Sequence, residues 1–369
     1  MLRSVAFLLV VACANAFAKE PTQTPEANAK FVGAVGCRSS SCHGGAGEKR
    51  SQYITWSQKD FHTRAYAILL DARSARIGEA VGVPQPQSSA RCTVCHSPFQ
   101  AVAQTRLTTT ARPDEGVSCE SCHGAAEPWL RGHTRTDWTY ATRVSAGMRD
   151  LRNLYVRANA CVACHQNVDA DILKAGHPEL VFELDSQSVN EPKHWRDDHP
   201  WSGAKSWLIG QAVALREVTW AVANRVPQDD NEFQRWHALT WILSKVPEAN
   251  GKKPEPLAIS AFGGIQAEAD GIAQRAGQMT WTTHSVRDLL ITLASTESDF
   301  IGKTGDKSLP EMAKRLTFAL ESLTRALNAN GDPLKVDNEL AALRTDVQRH
   351  YDFDVAAFAE HLRALRTKL

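Results

Sequence analysis

Residues 116–124 read Gly-Val-Ser-Cys-Glu-Ser-Cys-His-Gly, and the order Cys-x-x-Cys-His within this stretch returns elsewhere in the chain. Residues 92–96 read Cys-Thr-Val-Cys-His, and residues 161–165 read Cys-Val-Ala-Cys-His. Residues 37–43 form a longer version, Cys-Arg-Ser-Ser-Ser-Cys-His, with four residues between the cysteines instead of two. Cysteine pairs alone would indicate disulfides or zinc knuckles, but neither requires a histidine directly after the second cysteine. The repeated histidine therefore indicates a different chemistry.

The repeated order suits covalent attachment of haem. Two thiols add across the two vinyl groups of the porphyrin, and two intervening residues let them hold opposite sides of one edge. The histidine that follows then directs its imidazole to the iron as an axial ligand. The three regular motifs predict that haem is bound by Cys92, Cys95, His96, Cys119, Cys122, His123, Cys161, Cys164 and His165.

The longer motif leaves three readings: a stretched haem site, a haem held by one cysteine, or a disulfide that happens to precede a histidine. Of the 9 cysteines, Cys13 falls in the leader described below, and the other eight form four pairs. A haem at Cys37, Cys42 and His43 uses the last pair, whereas the other readings leave a lone thiol or an unexplained histidine. Small, turn-forming serines at 39–41 can form the required bulge. We therefore predict four covalently bound haem c groups, each with its iron.

The second axial position of each iron decides between electron carriage and chemistry at the metal. A second histidine gives a low-spin electron carrier, and an empty position can bind and transform a small molecule. Histidines near the attachment motifs are the candidate second ligands, and they are His62, His133, His177 and His194, with His199 as a further candidate. The histidines at 237, 284, 350 and 361 are expected to be ordinary surface or hydrogen-bonded side chains.

Residues 116–124, followed by Arg131-Gly-His133, closely resemble the third haem segment of the tetrahaem cytochrome c-554 family. The stretch from Trp56 to His62 is similar to that family's tryptophan and distal histidine after the first haem, and the resemblance covers about residues 31–170. It implies a mostly helical, loop-rich domain whose packed haems pass electrons, with three haems bound by two histidines and one five-coordinate. The stretched first site and the long chain after the last site depart from the family, so its physiological partner is not carried over.

The N-terminus has the pattern of an export signal. Arg3 supplies a positive charge, residues 5–12 are apolar but too short to span a bilayer, and Ala16-Phe-Ala18 fits a small-x-small cleavage site. Residues 1–18 are predicted as a signal peptide and 19–30 as a flexible lead-in of a periplasmic or otherwise exported protein. A lipoprotein anchor on Cys13 is the less favoured alternative, and no later stretch predicts a transmembrane segment.

The two parts of the mature chain differ in pattern. Residues 31–200 hold every haem motif and little periodicity, so the porphyrins are expected to supply much of the apolar core. Residues 201–369 show helical periodicity, with helices predicted near 207–222, 234–246, 266–295, 310–329, 333–350 and 354–366, a breaker-rich connection at 247–264, and a core stripe of Leu316, Leu320, Leu323 and Leu327. The predicted fold is mainly α: a loop-rich multihaem cytochrome c domain followed by an antiparallel helical bundle.

The charges nearly cancel, with 42 basic and 41 acidic residues, which argues against nucleic-acid binding. The predicted function is an exported tetrahaem cytochrome that carries electrons between redox partner proteins. The alternative is a multihaem oxidoreductase that acts on a small nitrogen or sulfur compound at one five-coordinate haem, although no catalytic lysine or tyrosine stands out. A third reading makes the chain a subunit that docks a redox complex through its helical part, including peripheral association with a membrane complex.

Overall fold

The structure is a computed structural model, and it describes residues 28–197, 199–224, 230–246, 262–303, 305–348 and 352–369. The predicted signal peptide, most of the predicted lead-in, His350 and residues 247–261 of the predicted connection lie outside the described residues. We call residues 28–200 the haem half and residues 201–369 the helical half. The division near residue 200 stays a prediction.

The fold is mainly α, as predicted. The structure is 62% helical and almost free of strands. Within the described residues, β-type pairing is confined to one isolated bridge between Phe31 and Leu107. Phe31 donates its N–H to the carbonyl of Arg106 at 2.8 Å and accepts from the N–H of Thr108 at 3.0 Å, so the start of the haem half is fixed beside the segment after the second motif.

The haem half consists of short helices between long loops. Its α-helices are α1 (Ala34–Cys37), α2 (Gln52–Lys59), α3 (Ala65–Ile68), α4 (Ala72–Ala80), α5 (Ala90–His96), α6 (Cys119–His123), α7 (Tyr140–Ser145), α8 (Leu154–His165), α9 (Ala170–Lys174) and α10 (Leu184–Asn190). Short 3-10 helices cover Phe61–Arg64, Pro86–Ser88, Pro98–Ala101 and Gln104–Arg106. The side chain of Asn153 caps α8 by accepting from the N–H groups of Tyr155 and Val156 at 3.0 and 3.3 Å.

The helical half contains longer helices. They are α11 (Ser202–Asn224), α12 (Asp230–Ser244), α13 (Phe262–Gln278), α14 (Thr283–Ala294), α15 (Leu309–Ala329), α16 (Asp337–Gln348) and α17 (Val355–Arg366), with a 3-10 helix at Glu297–Asp299. The single helix predicted near 266–295 is wrong, because α13 and α14 are separate. Thr282 begins a new helix there: its hydroxyl accepts from the N–H of Ser285 at 3.1 Å, and the Ser285 hydroxyl accepts from the N–H of Thr282 at 2.9 Å.

One large hydrophobic core lies around α11, which packs against α12, α13 and α15. The predicted leucine stripe on α15 is confirmed as core, since Leu316, Leu320, Leu323 and Leu327 are fully buried. Four pairs of consecutive helices pack side by side, as antiparallel neighbours do: α11 with α12, α14 with α15, α15 with α16, and α16 with α17. The same core includes Ala158 and Val162 of α8, and α8 and α10 both contact α11. The helical half therefore supports the last haem motif directly.

Among the described residues, no helix is both long enough and apolar enough to cross a membrane.

Candidate haem-binding site

The predicted attachment residues line one shared cavity of about 2360 Å³. All eight paired cysteines, their four histidines and the four predicted distal histidines contribute to its wall. Divided among four groups, the volume gives about 590 Å³ each, within the range of about 300–1,000 Å³ for a single ligand site. None of these cysteines forms a disulfide within the described residues. The cavity and its thiols therefore fit bound haem better than a cross-linked fold.

Helices position the three regular motifs. Residues 92–96 end α5, residues 161–165 end α8, and α6 consists of Cys119–His123 itself. In an α-helix the N–H of one residue bonds to the carbonyl four residues before it, so the first cysteine and the histidine of each motif are joined through the backbone. This fixes both thiols and the imidazole relative to one another before haem binds.

In the stretched motif a hydrogen bond also joins the first cysteine to the histidine, although the residues between them are not helical. α1 ends at Cys37, and the N–H of His43 donates to the carbonyl of Cys37 at 3.2 Å across the two extra residues. Inside the bulge, Cys42 and Gly44 both donate to the carbonyl of Ser39, at 2.9 and 3.0 Å. Gly44 has to be glycine, since a Cβ there would lie 1.8 Å from the carbonyl oxygen of Arg38. The serine bulge thus keeps the cysteine-to-histidine bond that the helical motifs make.

Each attachment histidine faces one of the four predicted distal histidines. The ring centres are separated by 6.1 Å for His43 and His133, 6.2 Å for His96 and His177, 6.4 Å for His123 and His194, and 5.9 Å for His62 and His165. Two metal–nitrogen bonds of about 2 Å, with about 1 Å from each nitrogen to its own ring centre, also separate two axial imidazoles by about 6 Å. The spacing in all four pairs therefore fits one iron between two histidines.

The Nδ1 atoms of most of these rings are engaged by other groups, which leaves Nε2 for a metal. His43 contacts Gln52 Oε1 at 3.0 Å, and His96, His133 and His177 contact backbone carbonyls at 2.9, 2.6 and 2.8 Å. His165 differs, because the side-chain amide nitrogen of Gln187, a hydrogen-bond donor, lies 3.3 Å from its Nδ1 atom. An Nδ1–H that donates to a fixed acceptor sets the tautomer and the orientation of a metal-binding imidazole.

Burial keeps several of the rings neutral, as metal binding requires. It lowers the pKa of His123 to about 4, and it also lowers the pKa values of His133, His165 and His177. His62 is the opposite case. Hydrogen bonds from its ring to Asp60 at 3.0 Å and Glu191 at 3.4 Å raise the pKa of His62 to about 10. A metal at Nε2 of His62 would displace a proton and keep Nδ1–H donating to a carboxylate.

The remaining histidines do not join a pair. His199 is exposed at the cavity wall and faces no other imidazole among the ring contacts of the described residues. His361 contacts Asp346 at 2.7 Å, and His284 contacts Asp288 at 3.1 Å. These two contacts account for both side chains as polar groups paired with carboxylates of the helical half.

With the geometry in place, comparison with known proteins gives the family. Residues 37–124 match the family model described as cytochrome c554 and c-prime. This match supports the cytochrome c-554 family for residues 37–124. No curated protein and no solved structure gives a match. The family implies covalently bound haem c and electron transfer, so the chain is a c-type cytochrome that takes part in electron transfer with redox partners.

Within this cavity, the attachment motifs lie close to one another in a definite order. The thiols of Cys95 and Cys164 are near enough to interact, and so are those of Cys37 and Cys119. Cys122 and Cys161, from the third and fourth motifs, lie within electrostatic range. The motifs therefore form a continuous series: second, fourth, third, first.

Glu120, inside the third motif, is a site residue that the sequence analysis missed. Its buried carboxylate accepts backbone N–H groups of Val32 at 3.0 Å, Gly33 at 2.7 Å and Ala126 at 2.6 Å. These bonds hold the start of α1, and therefore the stretched motif, against the third motif. A single carboxylate gives no pattern in the sequence, so its role appears only once the chain folds back.

Asp60, Glu191, Gln52 and Gln187 were missed for the same reason. The sequence could still have signalled Asp60. It lies two residues before His62, and its carboxylate accepts the N–H of His62 at 2.9 Å at the start of a 3-10 helix.

Side chains of the helical half hold the segment that joins His177 to His194. The fully buried guanidinium of Arg315 donates to the carbonyl of Phe182 at 2.7 Å, and Arg325 pairs with Asp185 at 2.6 Å. Arg235 pairs with Glu179. Three contacts from α12 and α15 therefore fix the backbone between two distal histidines of the haem half.

Proposed function

We propose that the chain is an exported, periplasmic cytochrome with four covalently bound haem c groups, which carries electrons between redox partners. The observation that carries this proposal is the set of four facing histidine pairs. A haem iron with histidine on both sides cycles between ferric and ferrous states without an open position for substrate. The four pairs support electron carriage over a reaction at an open iron.

Each pair has a residue-level assignment in this proposal. His43 and His133 would hold the first haem, His96 and His177 the second, His123 and His194 the third, and His165 and His62 the fourth. The cysteine pairs Cys37–Cys42, Cys92–Cys95, Cys119–Cys122 and Cys161–Cys164 would carry the thioether bonds. The resemblance to the cytochrome c-554 family implied one five-coordinate haem, and the His96–His177 and His123–His194 pairs support six-coordinate haems here instead.

The cavity wall supplies charges that suit the haem propionates. Seven arginines line it, and since Arg91, Arg157 and Arg196 pair with carboxylates, those that remain for the propionates are Arg73, Arg143, Arg149 and Arg152. Guanidinium groups bind carboxylates through two parallel hydrogen bonds. The series of motifs from second to first would give electrons a continuous route through the haem half.

The test is a count of haems and electrons. Mass spectrometry of the mature protein should find four haems, and a reductive titration should take up four electrons per chain. Replacing Cys37 and Cys42 together by alanine should leave three haems and three electrons. Three haems in the unaltered protein would contradict the stretched site, and uptake of electrons coupled to turnover of a bound nitrogen or sulfur compound would favour the enzyme.

A further inference from the structure

The stretched motif differs from the other three in exposure as well as in length. Cys42 is exposed, whereas the other seven described cysteines are buried or half-buried. Its neighbours Ser39, Ser40 and Ser41 are also exposed. A thioether at Cys42 would therefore hold one edge of the first haem at the protein surface.

The loop around Cys42, residues 38–50, carries a concentrated positive charge. Arg38, Lys49 and Arg50 are exposed, and none of them forms an ion pair among the salt bridges of the described residues. The one acidic residue of the loop, Glu48, is neutralised by Arg196 at 2.5 Å. The Cys42 loop therefore presents three exposed cations that form no ion pair among the described residues.

The haem propionates do not account for these three cations. Arg38, Lys49 and Arg50 are absent from the cavity wall, which has its own set of arginines. The backbone instead brings them round the outside of the bulge. The N–H of Gly45 donates to the carbonyl of Arg50 at 2.9 Å, and a Cβ on Gly45 would lie 2.3 Å from the carbonyl of Ser40. The three cations and Cys42 therefore belong to one exposed loop that these backbone contacts close.

We propose that the Cys42 loop is the docking surface through which an acidic redox protein exchanges electrons with the first haem. This inference rests on the proposed function, because it needs a haem at Cys37 and Cys42. The first haem stands at one end of the series of motifs, so a partner docked there has access to the whole route. Complementary charges raise association rates by about 10- to 1,000-fold and act through encounter, so added salt weakens them.

The experiment is stopped-flow reduction of the oxidised holoprotein by reduced plant-type ferredoxin, an acidic donor with a potential of about −400 mV. In each transfer, one electron leaves the reduced [2Fe–2S] cluster and one ferric haem becomes ferrous. The double variant Lys49→Glu/Arg50→Glu should lower the second-order rate constant at low salt about tenfold or more. High salt should bring the unaltered protein and this variant to similar rates.

Two controls separate a local docking surface from overall charge. Lys303→Glu/Lys335→Glu makes the same change in net charge on exposed lysines of the helical half, and it should slow ferredoxin less than twofold. The methyl viologen radical, a small cationic donor, should reduce the Lys49→Glu/Arg50→Glu variant at least as fast as the unaltered protein.

Equal slowing by both double variants, or no slowing by either, would overturn the docking surface. Failure of the proposed function has a different signature: the viologen radical would then fail to reduce four haems even in the unaltered protein.

Discussion

The haem half and the helical half of the chain are stabilised in different ways. The helical half surrounds one large hydrophobic core that is fully buried along α11 and α15. Apart from Ala158, Val162, Phe182 and Leu184, which join that large core, the described residues of the haem half form two small clusters, each with three buried side chains: Val32, Ala126 and Trp129 in one, Phe99, Leu107 and Ala111 in the other. The shared cavity takes up much of the interior of this half. We infer that bound haems supply the apolar core that the haem half otherwise lacks.

The largest effect should follow from preventing haem attachment. Protein made without the attachment machinery should have an unfolded haem half, because three-residue clusters cannot offset the conformational entropy of about 170 ordered residues. The helices α11–α17 should remain folded around their own core. Hydrogen exchange followed by mass spectrometry checks this, with the holoprotein as control. Equal protection of both halves in the haem-free chain would contradict it.

Truncation within the large core should destabilise the helical half. Leu320→Ala removes a fully buried side chain on α15 and should cost about 2–5 kcal/mol in the free energy of unfolding. Thermal unfolding followed by circular dichroism measures the loss of unfolding free energy. The control Lys335→Ala, on the exposed surface, should change the unfolding free energy by less than about 0.5 kcal/mol. The haem absorption bands should be unchanged below the transition. A haem spectrum that shifts below the transition would show that the truncation disturbs the fourth motif, which α8 carries on the same core.

A buried carboxyl group at the start of α10, the helix that packs on α11, should make the free energy of unfolding depend on pH. Glu183 is buried beside Asp185, and burial, with the charge of Asp185 second, raises the pKa of Glu183 to about 7. A raised carboxyl pKa means that the folded protein binds the proton more tightly than the unfolded chain. Stability should therefore be greatest below about pH 4.5, fall as pH rises to about 7, and then level off, with a total loss of roughly 3 kcal/mol from this group.

Glu183→Gln removes that titration. The stability difference between Glu183→Gln and the unaltered protein should move in favour of the variant as pH rises from 4.5 to 8. Melting temperatures measured across this range give the difference directly, and parallel profiles for the two proteins would contradict the assignment.

The smallest effect concerns one haem. Asp60→Asn removes a carboxylate that accepts from Nδ1 of His62, which makes the imidazole a weaker donor to ferric iron. The reduction potential of one haem should rise, by about 59 mV if the preference for ferric iron falls tenfold. Spectroelectrochemical titration measures it, and Asp114→Asn, whose carboxylate pairs with Arg112 instead, is the matched control. If all four haem reduction potentials were unchanged in Asp60→Asn, His62 would not be an axial ligand.

Part of this arrangement could be predicted from sequence because it is local. Cysteine spacing identifies the attachment motifs, and periodicity identifies the leucine stripe of α15. The pairing of ligands could not be predicted. His133 follows the third motif but faces His43 of the first, and His62 follows the first motif but faces His165 of the fourth. Such pairs depend on how the chain folds back, here through Glu120 and Arg315, and sequence spacing does not record that.

The break between α13 and α14 was predictable in principle. Thr282 and Ser285 form a reciprocal cap that ends one helical pattern and begins another, but the apolar periodicity continues across it. The exposure of Cys42 at the surface could not be predicted from the sequence. It depends on how Gly44 and Gly45, which follow the serine bulge, pack against the carbonyls of Arg38 and Ser40.

We propose that each of the four haem irons is held between two histidines. An electron paramagnetic resonance spectrum of the oxidised holoprotein, with the signals quantified against total haem, tests this ligation. We expect low-spin ferric haem only, in the amount of four per chain, and no change on addition of nitric oxide or hydroxylamine. A high-spin ferric signal equivalent to one haem per chain, which shifts when either compound is added, would contradict it.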